Sequence, residues 1–160
     1  LHQASPGGSA APGPGPTPPA TATPTATGSP APAPPGSSYE AEAGEAGSHG
    51  QVVGMDGASG GQVVRLSGNR SGTFVRFTDV VAAEPGPYQL TIFYFCDQGR
   101  DGTVSINNED HLTVEFPSRG EGGTVGPVTV STTLAAGINT IWIGTSGGSP
   151  LSLDRIALTR

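Results

Sequence analysis

From Tyr39 to Arg160 the chain alternates apolar and polar residues in short runs closed by glycine, proline or asparagine, and no window repeats its apolar residues at helical spacing. The longest run sets Tyr88, Leu90, Ile92 and Tyr94 against Gln89, Thr91, Phe93 and Phe95. Side chains two apart share one face of an extended strand, whereas a helix needs an apolar repeat near 3.6 residues. This part is therefore confined to strands and turns. Residues 62–66, 73–81, 88–95, 103–106, 112–116, 128–134, 140–143 and 151–158 predict eight or nine short strands. Asn107-Asn108-Glu109-Asp110 reads as the turn of a hairpin, and residues 67–72, 97–102, 118–126 and 146–150 as turns or loops. Many short strands with regular turn signals predict an all-β sandwich. Trp142, bracketed by Ile141 and Ile143, is expected half-buried on a strand rather than on a ligand platform.

Composition separates a second region. Eleven of the sixteen prolines precede Tyr39, in a stretch without Asp, Glu, Lys or Arg. Such a segment buries too little to offset the entropy of ordering, so residues 1–37 read as a disordered Pro/Thr/Ala-rich linker and residues 38–160 as the folded domain. Threonines beside proline suit O-linked sugars, and an unmodified tether fits equally well. The start at Leu1 and the spacer predict a piece of a larger polypeptide. All thirteen acids lie after residue 38, so the net charge of −6 belongs to the folded part. An acidic domain argues against nucleic acid and against anionic membrane surfaces. No stretch approaches the ~20 apolar residues of a membrane span. The single cysteine, Cys96, follows the apolar run Ile92 to Phe95 and is expected to be a buried, inert thiol.

Tyr39-Glu40-Ala41-Glu42 brings in the first charges of the chain. On an extended strand Glu40 and Glu42 share a face, and carboxylates held together need a proton, an arginine or a cation. Ca²⁺ suits them, because it takes several oxygen ligands. Asp154, in Leu151-Ser152-Leu153-Asp154-Arg155-Ile156, offers a third. The expectation is that the first and last strands pair and share a structural Ca²⁺; two solvated surface glutamates fit the same residues. His49 and His111 lie in no nucleophile-elbow or zinc-ligand spacing. Neighbouring carboxylates on one strand face stand too close to flank a glycosidic bond. No enzyme is expected.

Five segments occur in a telling order: Tyr39-Glu40-Ala41-Glu42, Gly57-Ala58-Ser59-Gly60-Gly61-Gln62-Val63-Val64, Pro87-Tyr88-Gln89-Leu90-Thr91-Ile92, Leu134-Ala135-Ala136-Gly137-Ile138-Asn139-Thr140-Ile141 and Leu153-Asp154-Arg155-Ile156. In them the chain resembles carbohydrate-binding modules of family 35, with the related family 6 close behind, over about residues 38–160. The resemblance implies a jelly-roll sandwich of two antiparallel sheets with Ca²⁺ between its terminal strands. Glu40, Glu42 and Asp154 would give side-chain oxygens, and a backbone carbonyl near Gln62 would complete the shell. It also implies a non-catalytic, monomeric domain, secreted or on the outer face of a cell, that tethers a larger protein to a polysaccharide.

The chain departs from that pattern around the sugar site. Gly120-Glu121-Gly122-Gly123-Thr124-Val125 carries no aromatic platform, Ser152 stands where an asparagine is common, and Arg65 or Leu66 where a tyrosine occurs. The polar candidates for a ligand are Asn69, Asp97, Asp101, Arg119, Glu121 and Ser152, each of which also fits a solvated loop residue. Phe74, Phe93 and Phe95 fall on the polar phase of their strands. They would form one exposed patch if those strands adjoin, unless a loop covers them. The altered sugar site leaves a second reading open, an extracellular sensor or adhesion domain of a membrane protein such as a receptor-type kinase.

Overall fold

The computed structural model describes residues 7, 8, 13, 37–68, 73–145 and 148–160. The linker expected over residues 1–37 thus falls almost wholly outside the described residues. The chain divides into Leu1–Pro30 and Ala31–Arg160. In the first unit the described Gly7, Gly8 and Gly13 are exposed.

The second unit is an antiparallel sandwich. Its strands are β1 (Ser38–Glu40), β2 (Glu45–Ala46), β3 (Gly50–Gly54), β4 (Gln62–Leu66), β5 (Phe74–Ala82), β6 (Gly86–Phe95), β7 (Arg100–Ile106), β8 (Asp110–Phe116), β9 (Gly126–Leu134), β10 (Gly137–Gly144) and β11 (Leu151–Thr159). Among the described residues the only helical pieces are two 3-10 turns, Ala41–Ala43 and Ser59–Gly61. One sheet runs β3-β4-β11-β6-β9, and the other β2-β5-β10-β7-β8. β1 pairs with β11 through Ser38↔Ala157 and Glu40↔Arg155, so the first and last strands of the domain adjoin as expected. This arrangement is the jelly-roll sandwich.

Core side chains follow the alternation, and two β-bulges explain its breaks. β11 buries Leu151 and Leu153, then Ile156 and Leu158. The three-residue step falls where Leu153 faces Tyr94 and Arg155 faces Phe93, so Asp154 is the extra residue. β5 makes the same step, burying Val75 and Phe77, then Val80 and Ala82. There Asn139 pairs with Val80 and Ile141 with Phe77, which leaves Thr78 and Asp79 in the bulge. A bulge inserts one residue and re-aims the side chains around it.

Two asparagines bind the turns together. Asn107 and Asn108 both have positive φ, 51° and 63°, in the β7–β8 hairpin turn, a conformation that asparagine tolerates better than most residues. Asn139 is 1% exposed. Its Nδ2 donates to the carbonyls of Ala135 and Gly137 at 2.9 and 3.0 Å, and its Oδ1 accepts from Ala135 N and Asn107 Nδ2 at 3.0 and 2.9 Å. The Leu-Ala-Ala-Gly-Ile-Asn segment is therefore a side-chain-stapled turn between β9 and β10.

The sequence reading missed β2 and β3 and placed the start of β7 in a loop. β2 has only two residues and β3 is a glycine-bounded edge strand, Gly-Gln-Val-Val-Gly, so neither shows an alternating run. Asp101-Gly102 looks like a turn, yet it pairs with Glu115 and Val114. Glycine is needed there because a Cβ at Gly102 would stand 2.6 Å from the Phe116 ring. The single patch of Phe74, Phe93 and Phe95 does not form: β5 and β6 belong to different sheets. Phe93 lies instead under the Arg155 guanidinium, 3.7 Å from the ring centre.

Candidate functional site

Two polar hollows lie on the outer face of the β11 sheet, on either side of the loop from Met55 to Gly61. The first gathers the acidic residues. Glu40 ends β1 and Glu42 sits in the 3-10 turn Ala41–Ala43. The two are thus not neighbours on one strand face: the strand stops at Glu40 so that Ala41 can turn into the core, where it is fully buried. Asp154, only 2% exposed, is placed by the β11 bulge. Ser59 joins the group, its backbone N–H donating to Asp154 Oδ1 at 2.7 Å and its hydroxyl to Glu40 Oε1 at 2.7 Å. Gly60 and Gly61 have φ of 64° and 73°, left-handed values that glycine adopts freely, and they close the turn presenting Ser59. A Cβ on Gly60 would stand 3.3 Å from Glu42 Oε1. Gln62 is the exposed first residue of β4, directly after this turn.

Charge in this hollow is only partly compensated. Burial pushes the Asp154 carboxyl above its usual range; the Ser59 N–H opposes the shift, Glu40 and Glu42 add to it, and Arg155 opposes it. Arg155 Nε stands 3.7 Å from Asp154 Oδ2. Glu40 Oε2 and Glu42 Oε2 are buried and have no hydrogen-bond partner among the described residues. A buried oxygen in that condition is costly unless a proton or cation satisfies it. The hard-oxygen donor set fits a Ca²⁺ ion in its chemistry. As the side chains lie, no group of three or more His, Cys, Asp or Glu among the described residues is arranged around one metal position.

The second hollow, of about 220 Å³, is lined by Val53, Gly54, Met55, Arg65, Phe95, Asp97, Pro150 and Ser152. Strand register builds it. Arg65 on β4 pairs with Ser152 on β11, and Ser152 pairs with Phe95 on β6, so the three side chains rise from one face in one row. Phe95 presents a half-buried ring, Arg65 and Asp97 are exposed, and Ser152 forms part of the buried floor. No hydrogen bond or ion pair among the described residues engages the Arg65 or Asp97 side chain. The arrangement offers a ring face, a cation, a carboxylate and a hydroxyl to one small polar molecule.

The ligand candidates named from the sequence separate. Asp97 and Ser152 share this cleft. Arg119 is engaged elsewhere: Nη2 donates to the Pro127 carbonyl at 2.7 Å and the guanidinium lies 4.9 Å from the Tyr94 ring centre. It fills the space over Gly126, where a Cβ would stand 2.3 Å from its Cζ. Glu121 is exposed at the tip of the glycine-rich loop, and Asp101 is exposed on β7, paired with Glu115. Asn69 lies outside the described residues. Sequence reasoning overlooked Arg65, Phe95 and Ser59 as site residues. A Phe on the polar phase beside Cys96-Asp97 was the available signal for the cleft, and a Ser before Gly-Gly the signal for the acidic hollow.

Residues 41–159 match a family model described as delta endotoxin. The chain belongs to the delta endotoxin family. That delta endotoxin match covers the sandwich and says nothing of what the domain binds. No curated protein matches the chain. Among solved structures it is similar to an exo-β-1,3-galactanase from Phanerochaete chrysosporium with galactose, at 30% identity and TM-score 0.69, over 77% of this chain and 29% of that one. It is also similar to a family 35 carbohydrate binding module from Clostridium thermocellum, at 28% identity and TM-score 0.72, over 78% of this chain and 98% of that one. A GH26-CBM35 β-(1,4)-mannanase from Podospora anserina matches at 27% identity and TM-score 0.66, over 78% and 27% of the two chains. This delta endotoxin family member thus spans less than a third of the enzymes, and nearly the whole of the module.

Proposed function

We propose that this chain is a non-catalytic carbohydrate-binding module, part of a larger secreted or surface protein, that holds its partner domains against a polysaccharide. The observation that carries the reading is the cleft lined by Arg65, Ser152, Phe95 and Asp97, in which Ser152 stands between Arg65 and Phe95 across three neighbouring strands. A ring face takes the apolar side of a sugar ring, and the flanking charges take its hydroxyls. The similarity over nearly the full length of a family 35 module supports the same reading, as does the partial match to longer glycoside-cleaving enzymes. A structural Ca²⁺ belongs to the proposal. Glu40, Glu42 and Asp154, with a backbone carbonyl near Gln62, would hold it. The ion would neutralise buried carboxylates and tie β1 to β11. The two buried, unpartnered glutamate oxygens support it.

The test is calorimetric titration with galactan, mannan, xylan and uronic-acid oligosaccharides, on the native chain and on Arg65→Ala and Phe95→Ala variants. Binding that weakens about tenfold or more in each variant is the expected result. Silence toward every saccharide would reject the module and favour an adhesion or sensor domain. For the ion, calorimetry with Ca²⁺ alone should show one site that Asp154→Asn removes.

A further inference from the structure

The sheet that carries both hollows ends, at the edge opposite β3, in β9. β9 pairs with β6, and among the described residues no strand pairs with its other side. Its nine residues, Gly126–Leu134, run in unbroken register against Tyr94 to Gly86. Antiparallel pairing uses the N–H and C=O of alternate residues and turns the others outward. Pro127 has no N–H and pairs with Phe93, so it belongs to the outward set. Thr129, Ser131 and Thr133 share its phase and direct their backbone groups away from β6.

The other edges are guarded. β8 exposes Asp110, His111 and Glu115, β2 has only two residues, and β3 has five bounded by glycine. Charge and shortness are the usual means by which a sheet edge is kept from pairing. β9 has neither, and no Asp, Glu, Lys or Arg stands between Glu121 and Asp154. Its exposed side chains are held against β6: the Thr91 and Thr129 hydroxyls meet at 2.9 Å, and Gln89 Nε2 donates to Ser131 Oγ at 3.0 Å. On the inward phase Val128 and Val130 pack against the core yet stay only half-buried. One more strand beside β9 would complete their cover.

We propose that β9 is an interaction edge that pairs antiparallel with β9 of a second copy of this chain, about a two-fold axis at Val130. In that register Thr129 of one copy exchanges main-chain hydrogen bonds with Ser131 of the other, and the two Val130 side chains meet at the axis. A strand of this kind is its own complement, as a two-fold interface requires. Two copies of net charge −6 repel, but this edge brings no charge to the contact. The pairing departs from the monomer that the family resemblance implies. Its axis runs perpendicular to the sheet, so both clefts open on one side. On the carbohydrate-binding reading above, the pair would grip one polymer at two points.

Sedimentation of the full chain, without sugar, tests the pairing from about 1 μM to about 1 mM. The expected result is a mass that rises with concentration and levels at twice that of the chain. Thr129→Lys/Ser131→Lys sets like charges opposite each other and should raise the dimer dissociation constant about tenfold or more. His111→Lys/Thr113→Lys puts the same substitutions on β8 and should leave it native. A single-chain mass at every concentration overturns the proposal. So does a dimer that survives the β9 lysines, one lost equally with the β8 lysines, or growth beyond two copies. If the β9 variant does not fold, amide exchange on the native chain decides. Exchange at Thr129, Ser131 and Thr133 should slow as protein concentration rises, while that at His111 and Thr113 stays constant; no concentration dependence at β9 overturns the pairing. Because no saccharide is present, either outcome leaves the carbohydrate-binding reading to its own titrations.

Discussion

Asp154 and Ser152 stand on one strand with a single residue between them, and they serve opposite kinds of site. Asp154 is buried beside the half-buried Glu40 and Glu42, and Ser59 donates to Asp154 and to Glu40. Ser152 floors a cleft whose charged groups, Arg65 and Asp97, stand exposed and unengaged among the described residues. The loop from Met55 to Gly61 borders both hollows. A polar group sealed inside must be satisfied by the fold or by an ion, so its value is structural. A polar group left in water costs little and stays available to a ligand. The acidic hollow should therefore govern stability and the cleft should govern binding, with the loop as their shared wall.

The largest effect tests the acidic side. At a free calcium one hundred times Kd the proposed ion contributes about 2.7 kcal/mol. Excess chelator should then lower the melting temperature by roughly 10 °C for a domain of this size. Asp154→Asn should abolish that difference. An unchanged melting curve would make the hollow a closed polar network without an ion. Next comes the cleft: Phe95→Ala should weaken saccharide binding about tenfold, equal to about 1.4 kcal/mol, while the chelator response stays native. Loss of both together would show one site rather than two. A smaller change is expected at the shared wall. Ser59→Ala removes the hydroxyl bond to Glu40 and should cost about 1 kcal/mol in denaturant unfolding, with Arg65 and Phe95 still competent to bind. Cys96, flanked by Phe95 and Asp97, is 1% exposed, and burial pushes its thiol above the usual range. Native protein at neutral pH should resist alkylation that goes to completion in denaturant; ready labelling would mean that the cleft strand opens. The smallest effect belongs to an ion pair far from either hollow. Arg160 holds the Glu84 carboxyl below its usual range, but both groups are exposed, and Glu84→Gln should leave the melting temperature unchanged within error.

Much of the frame was legible before any coordinates. Alternation gave the strands over residues 73–81 and 151–158, but not the bulges at Thr78–Asp79 and Asp154 that interrupt them. The pairing of first and last strands was expected from the acidic residues at both ends. The reading of Glu40 and Glu42 on one strand face failed because alternation gives no sign of where a strand stops. Ala41, small and apolar, serves a turn into the core as well as a strand. The cleft was half legible: Asp97 and Ser152 were named as ligand candidates, whereas Arg65 was noted only as standing where a tyrosine occurs and Phe95 only as part of an aromatic patch. Nothing local says that residues 65, 95 and 152 stand in one row.

Alternation, turn residues and charge placement are local, and they dictated an all-β domain, its core-facing phase and the acidic character of its folded part. Sheet order and register are not local, because they depend on which strands meet across the whole chain. Those long-range pairings set Arg65 beside Ser152 and Phe95, and parted Phe74 from Phe93. The side chains a ligand would meet were present in the chain from the start, and strand pairing alone decided which of them face it together.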